Sequence, residues 1–377
     1  MTATAKLLTV AALLAAGPAP SPGEAPPRFP AGSIWNQEVS GAPVHPQSAA
    51  MISTLQTLGG FGFGRMQIDF SIHVVRAAPN APTRVLVEHP AEYWQPDCEP
   101  PGALVPVPAD AAIEGQAGLS CDNDAEDCHL LVVRENTLYE LFSANAPDPS
   151  TIEVRCLAVW HLDAVYPPEG RGDHCTSADA AGFPIAPLLF NADEIAAALA
   201  VDPTGDTVAL GHAIRFILPN PRMATDAALG GVDGRLYVRP GSHAGSPTGP
   251  AGTVPYGARL RLRADFPRTG YNPAARVLLN TFERYGIVLA DGGNVALTAE
   301  SDLYTVAKWA DLGVGSRIFD QTPGATAVAA TDFAVLDTGA RVGETWDCVR
   351  APSPWIFSDG FETGGAGRWS TTAPPLP

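Results

Sequence analysis

"ALGHAIRFILP" (residues 209–219) alternates with the period of a β-strand. Its even-numbered residues from His212 to Leu218 face one side and its odd-numbered residues from Ala213 to Ile217 face the other, before Pro219 ends the run. His212 and Arg215 therefore leave opposite faces, and we do not expect them to share one site by direct contact. If His212 lines a cleft, Arg215 is expected to be a buried structural partner on the other side, paired with a carboxylate.

Similar apolar runs, each bounded by turn-forming residues, recur along the chain and predict many short strands. They cover residues 67–76, 83–88, 129–143, 153–163, 234–239, 257–263, 287–290, 295–298 and 332–336, with a hairpin turn at "REN" (134–136). Helical patterns are fewer and cover residues 46–58, 191–200, 272–285 and 300–311, with Asn191 and Asn272 as N-caps. This pattern predicts a β-rich α+β fold, with a β-sandwich or jelly-roll-like core and a few peripheral helices.

The N-terminus has the features of an export signal. Lys6 precedes the apolar run "LLTVAALLAA" (7–16), so we assign 1–20 to a signal peptide and 21–32 to a proline-rich leader. We expect a single large domain over 33–345, a C-terminal tail over 346–377, and a secreted or periplasmic location. No later segment has the roughly 18 uninterrupted apolar residues of a membrane span.

The net charge of the chain limits its possible binding partners, and its cysteine content indicates disulfides. The chain has 40 acidic and 23 basic residues, a formal net charge of −17, which argues against nucleic acid as a partner. Six cysteines in an exported chain favour up to three disulfides, whose pairing stays open. Between Cys121 and Cys128, "DNDAED" places Asp122 and Asp124 in the alternate spacing of calcium ligands. We favour a solvated acidic loop closed by a disulfide over a calcium site, and expect no cofactor.

Three carboxylates stand in glycine-rich loops or at strand ends. Asp179 lies in "SADAAG", Asp291 follows the buried strand "IVLA", and Glu114 precedes Gly115. Each has a plain structural alternative, since Asp179 also fits an Asx turn and Asp291 a hairpin turn. We take all three as candidate catalytic residues.

Further polar side chains accompany them. His212, His243 and Tyr285 are candidate catalytic residues, and His129 is a candidate for substrate binding. In "ARLRLR", Arg259 and Arg261 share one face of a predicted strand. This stripe is either a solvated sheet face or a site for an anionic group of a substrate, and we include both arginines as candidate substrate-binding residues.

Several blocks together resemble a family of exported bacterial proteins. The blocks are "SIWN" (33–36), "IEG" (113–115), "LYELF" (138–142), "TSADAAGFPI" (176–185), "HAIRF" (212–216), "GARLRL" (257–262) and "RYG" with "ADGG" (284–293). The resemblance runs from about residue 34 to 335 and implies a common architecture but no particular activity; "ADGG" stands where family members have "ADNG". The tail motif "SDGFETG" (358–364) resembles short C-terminal tails on exported proteins of gammaproteobacteria.

The candidate residues suggest three functions. Paired carboxylates favour a glycoside hydrolase acting on a polysaccharide, with Asp179, Asp291 and Glu114 as candidates for the pair. A polysaccharide lyase is the alternative, with His212, His243 or Tyr285 as base and Arg215 or the arginines of 259–263 as a clamp on a uronate. The third possibility is a non-catalytic glycan-binding or adhesion module, which predicts a shallow aromatic platform with no converging titratable groups.

Overall fold

A computed structural model describes residues 26–121 and 127–351. The predicted signal peptide, residues 21–25 of the leader, the calcium candidates Asp122 and Asp124, and the tail from residue 352 onward lie outside these residues. No helix within 26–121 or 127–351 is both long and apolar enough to cross a membrane.

Three α-helices occur in the described ranges, at three of the four predicted places. They are α1 (Ser48–Thr57), α2 (Ala192–Val201) and α3 (Pro273–Arg284). Asn191 caps α2 and forms a capping box with Glu194, while Asn272 caps α3 ahead of Pro273. Both caps confirm the sequence prediction.

The fourth predicted helix, over 300–311, is wrong. This stretch forms a series of turns in which the Lys308 ammonium donates to the carbonyls of Asp302 and Thr305. The Asp302 carboxylate accepts the backbone N–H of Trp309 at 2.9 Å. Side chains therefore bond to the backbone groups that helix formation needs.

Seventeen strands are found in the described residues. They are β1 (Ile68–Ile72), β2 (Val74–Arg76), β3 (Thr83–Glu88), β4 (Leu104–Pro106), β5 (Leu130–Arg134), β6 (Thr137–Phe142), β7 (Thr151–Val154), β8 (Cys156–His161), β9 (Gly172–Asp173), β10 (Ile214–Leu218), β11 (Leu236–Tyr237), β12 (Arg259–Leu262), β13 (Ile287–Gly292), β14 (Leu297–Glu300), β15 (Phe333–Val335), β16 (Val342–Gly343) and β17 (Val349–Arg350). The hairpin of β5 and β6 turns at the predicted "REN".

The strands form one mixed sheet of six, in the order β1-β14-β10-β13-β12-β15, and smaller sheets beside it. One of these has four strands, β2-β5-β6-β8, and another has three, β4-β3-β7. Two-stranded pairs join β11 to β16 and β17 to β9. The β-rich α+β prediction is confirmed, while the sandwich or jelly-roll core stays a prediction.

Two hydrophobic clusters lie on opposite faces of the four-stranded sheet. Leu131 and Val133 of β5 belong to the larger cluster, which contains the helices and the six-stranded sheet. Leu130 and Val132 belong to the smaller cluster, together with residues of the three-stranded sheet. The alternation of side chains along β5 thus places this strand between both cores.

The opening stretch is extended over a shorter range than predicted. β10 begins only at Ile214, because Gly211 has a φ of +87°, in the left-handed region that interrupts an extended run. Beyond Ile214, β10 lies between β13 and β14 in the six-stranded sheet, so the strand that carries Arg215 is internal.

Candidate functional site

A pocket of about 600 Å³ brings together several titratable side chains. Its floor is formed by Asp179 and Asp291, above Arg215 of β10. Its walls come from the segments around residues 92–97, 127, 142, 176–180, 235–246 and 346. Segments distant in sequence therefore meet here around one group of charges.

Arg215 is the charged centre of the floor. Its guanidinium lies 3.2 Å from Asp179 Oδ1 and 4.0 Å from Asp291 Oδ2, and donates a 2.8 Å hydrogen bond to the Thr298 hydroxyl. The side chains of Arg215 and Asp179 are 4% and 0% exposed, so this ion pair is cut off from solvent. The sequence predicts such a buried pair on the side of the strand away from the cleft; Arg215 has the carboxylate partner, but the pair lies beneath the pocket itself.

A β-bulge brings Asp291 to the same side of the sheet as Arg215. Phe216 pairs with Leu289, but the next residue, Ile217, pairs with Asp291, so one residue of β13 is extra. In a regular parallel pair, Asp291 would face the same side as Leu289 and Phe216. Bulges redirect side chains in this way, often beside functional sites.

The Asp291 carboxylate has the contacts of an anion. Oδ2 accepts the backbone N–H of Ala180 at 3.2 Å, and Oδ1 accepts that of Gly292 at 2.6 Å. Its side chain is 22% exposed, which leaves it open to the pocket.

Asp179 differs from Asp291 in burial, although both carboxyl groups approach the same guanidinium nitrogen of Arg215. Burial raises the pKa of Asp179 well above its usual range, and the nearby Asp291 charge adds to this effect. Its Oδ2 is buried and makes no hydrogen bond to the described residues.

The loop that carries Asp179 is held by two histidines. The His129 ring hydrogen-bonds the carbonyl of Ala178 through Nε2 at 3.0 Å, and the His243 ring hydrogen-bonds the carbonyl of Ala180 through Nδ1 at 2.7 Å. The two carbonyls flank Asp179. Both histidines therefore contact the peptide of the site, and His243 also lines the pocket.

Glu114 lies behind His129 and forms an ion pair with it at 2.7 Å. Burial alone would lower the pKa of His129, but the Glu114 carboxylate raises it to about 9. Burial likewise opposes the charge on Glu114, yet His129 lowers its pKa to about 2. Both groups are charged near neutral pH, so His129 donates from both ring nitrogens.

The same loop is held on its far side by Glu140. This fully buried carboxylate accepts the backbone N–H groups of Ile185 and Ala186, both at 2.8 Å, and the indole N–H of Trp160. Burial raises the pKa of Glu140 to about 7, against these three donors. Within the loop, Gly182 has a φ of +74°, and a Cβ there would come 2.1 Å from the Ser242 hydroxyl.

Asp127 contributes a third carboxyl group to the pocket. Partial burial raises the pKa of Asp127, and the negative charges of Asp291 and Glu114 add to this effect. Its side chain nevertheless remains in contact with water. Its position in the wall, apart from the buried Asp179, makes it the more accessible acid.

Aromatic rings form much of the wall. Trp94 stacks on Phe142 with ring centroids 5.6 Å apart and planes at 16°, and Tyr93 lies beside them in the lining. On another wall, the Arg235 guanidinium carbon lies 4.5 Å from the centroid of the Trp346 ring, which is a cation–π contact.

Three disulfides secure the segments of this wall. They join Cys98 to Cys156, Cys121 to Cys128 and Cys175 to Cys348. Cys98 follows the lining residue Asp97, Cys128 follows Asp127, and Cys175 precedes Thr176. The prediction of three disulfides is confirmed, including the one that closes the acidic loop, and each of them borders the pocket.

Four candidates from the sequence lie away from this pocket. His212 is buried beside α2, where its Nε2 lies 3.0 Å from Glu194. Tyr285 is the C-cap of α3. Arg259 donates to the carbonyls of Ile34 and Gln37, and Arg261 donates to those of Val39, Ser40 and Ala42. The arginine stripe thus holds residues 34–42, and its guanidinium groups donate to backbone carbonyls.

The pocket includes residues that sequence reasoning did not select. Asp127 and Arg235 are examples, as are the aromatic side chains of the wall. In the sequence, the cysteine next to Asp127 was the available signal for its position in a site, whereas no signal pointed to Arg235. No cluster of three or more His, Cys, Asp or Glu side chains arranged to hold a metal ion occurs in the described parts of the chain. Comparison with protein-family models, curated proteins and solved structures finds no match.

Proposed function

We propose that this chain is an exported glycoside hydrolase. The observation that carries the proposal is the convergence of Asp127, Asp179 and Asp291 in one aromatic-walled pocket. Hydrolysis of a glycosidic bond requires two carboxyl groups, one to donate a proton and one to act as nucleophile or base. The three disulfides fit an oxidising, extracytoplasmic compartment, in agreement with the predicted export signal.

The proton donor and the anion are assigned by their environment. Asp179 and Asp291 share the guanidinium of Arg215, and the Asp179 side chain is 0% exposed, so it is not open to a substrate in the pocket. These two therefore do not flank the scissile bond as a pair. We assign Asp127, with its raised pKa, as the general acid, and Asp291 as the nucleophile or general base.

Asp179 and Arg215 then act as positioning residues. Asp179 holds the Arg215 guanidinium in place, and Arg215, with the backbone N–H of Ala180, orients the Asp291 carboxylate toward the pocket. Because the site is largely buried, these contacts act in a medium of low dielectric constant and hold the carboxylate strongly.

The aromatic wall suits a sugar substrate. Trp94, Phe142 and Trp346 present flat apolar surfaces, while polar groups surround them. The apolar C–H faces of a pyranose pack on such rings, and its hydroxyls reach the rim.

The lyase alternative is less well supported. A lyase neutralises the uronate carboxylate with a cation, yet the pocket lining contains Glu92, Asp97 and the three aspartates. Of the arginines proposed as its clamp, Arg259 and Arg261 bond to backbone carbonyls outside the pocket, and Arg215 is paired with the buried Asp179. The acidic lining repels a uronate.

Incubation of the mature protein with a panel of polysaccharides tests the proposal. New reducing ends are expected, and Asp127→Asn and Asp291→Asn should each lower the rate at least about 100-fold with thermal stability retained. Asp311→Asn, an exposed carboxylate outside the pocket, is the matched control and should leave the rate unchanged. Unsaturated uronate products, or no cleavage of any polymer, would overturn the proposal.

A further inference from the structure

The lining of the pocket is strongly acidic. Five residues with carboxyl groups line it, against the cationic Arg235 in its wall and Arg215 under its floor. Glu92 is exposed, and its carboxylate makes no ion pair with any residue of 26–121 or 127–351. The negative charge is therefore only partly compensated by the protein itself.

The floor contains a second, independent feature. Two carboxyl groups, Asp179 and Asp291, share the single guanidinium of Arg215. Oδ2 of Asp179 is buried and makes no hydrogen bond to the described residues. A ligand that carries positive charge and N–H donors complements such a floor.

The aromatic wall points to the same ligand chemistry. The electron-rich faces of tryptophan and tyrosine attract cations. They attract an alkylammonium group in the same way as they attract a guanidinium group. Trp346 already has the Arg235 guanidinium 4.5 Å from its ring centroid. The Trp94–Phe142 stack and Tyr93 provide further aromatic surface beside Glu92.

From these features we infer that the substrate is a cationic amino sugar: an oligomer or polymer of 2-amino-2-deoxy sugars whose amino groups are free and protonated. This inference rests on the proposed glycosidase function. The carboxylates of the pocket pair with the ammonium groups, and the aromatic rings contact both the sugar faces and the charge. The net charge of −17 on the whole chain attracts a polycation and repels polyuronates.

A matched pair of ligands tests the inference. A glucosamine oligomer and its fully N-acetylated counterpart have the same length and linkage and differ in amine charge and acetyl group. Titration calorimetry of the full mature chain at pH 6 should show at least about tenfold tighter binding of the free-amine oligomer. This preference should shrink as salt rises from 0.01 to 1 M, because ions screen the exposed charges.

Two variants refine the test. Glu92→Gln should lower affinity for the free-amine oligomer about two- to fivefold and leave affinity for the acetylated oligomer unchanged. Asp311→Asn removes the same charge outside the pocket and should change neither affinity.

Binding and cleavage are read separately, so the two proposals fail separately. Equal or tighter binding of the acetylated oligomer, or no binding of either, overturns the amino-sugar inference. If the acetylated oligomer or a neutral polysaccharide is nevertheless cleaved, the hydrolase proposal stands. Preferential binding of the free-amine oligomer without cleavage of any polymer supports the ligand class and overturns the hydrolase.

Discussion

Arg215 and Asp179 form a buried ion pair, 3.2 Å long, and the same guanidinium nitrogen lies 4.0 Å from Asp291. The pair joins a central strand to an irregular loop that has few regular backbone hydrogen bonds of its own. Its position explains how two segments distant in sequence stay in contact beneath the pocket. It also sets the first expectation for stability.

Replacement of Arg215 by methionine should lower the free energy of unfolding by about 3–5 kcal/mol, because it leaves buried carboxyl groups without their cation. Chemical denaturation measures the loss. Arg263→Met is the matched control: Arg263 pairs with Asp265 and Asp332, but its side chain is 40% exposed, so its loss should leave the free energy of unfolding nearly unchanged. Equal losses in both variants would contradict the assigned importance of the buried pair.

The Glu114–His129 ion pair predicts a defined pH window of stability. The folded-state pKa of Glu114 lies below its ordinary 4.5 and that of His129 above its ordinary 6.5. The pair therefore stabilises fully between about pH 4.5 and 6.5, loses its effect as His129 deprotonates up to about pH 9, and loses it again as Glu114 protonates down to about pH 2. The stability difference between the unaltered protein and Glu114→Gln, measured by denaturant titration across this range, should follow that profile. A difference independent of pH from 5 to 10 would exclude the charged pair.

The disulfides should contribute unequally. Cys175 and Cys348 are 173 residues apart in sequence, while Cys121 and Cys128 are only 7 apart. Chain entropy predicts losses of about 5 and about 2 kcal/mol for the respective paired Cys→Ala variants. Thermal and denaturant unfolding measure both. Removal of the longer link should also weaken ligand binding, since it tethers Thr176 and Trp346 of the pocket wall; unchanged affinity would show that the wall holds without it.

Arg259→Ala should affect stability and not ligand recognition. Its guanidinium donates to the carbonyls of Ile34, Gln37 and Tyr285, and the variant leaves these acceptors unsatisfied, at a cost of about 3 kcal/mol. KM of the folded variant should equal that of the unaltered protein. A raised KM with unchanged stability would instead support the prediction from the sequence that Arg259 binds substrate.

Local patterns determined many features of this chain in advance. Asn191 and Asn272 cap their helices because a short side chain at that position satisfies the first free N–H groups of a helix, wherever the helix packs. The prediction that His212 and Arg215 do not share one site agrees with their separate contacts, Glu194 for one and Asp179 for the other, although β10 begins only at Ile214. These are properties of neighbouring residues, so the sequence contains them.

Only the tertiary structure decided which side became the pocket and which residues meet there. His212 lies beside α2 and Arg215 under the pocket, the reverse of what the isolated strand suggested. Asp291 reaches the floor through a register shift between β10 and β13, which depends on how two distant strands pair. Contacts between segments far apart in the chain likewise determine which carbonyls accept hydrogen bonds from Arg259 and Arg261. They also determine how the six cysteines pair. A single sequence specifies which side chains are available. Long-range packing decides which charged side chains stay exposed to solvent and which are paired inside the fold.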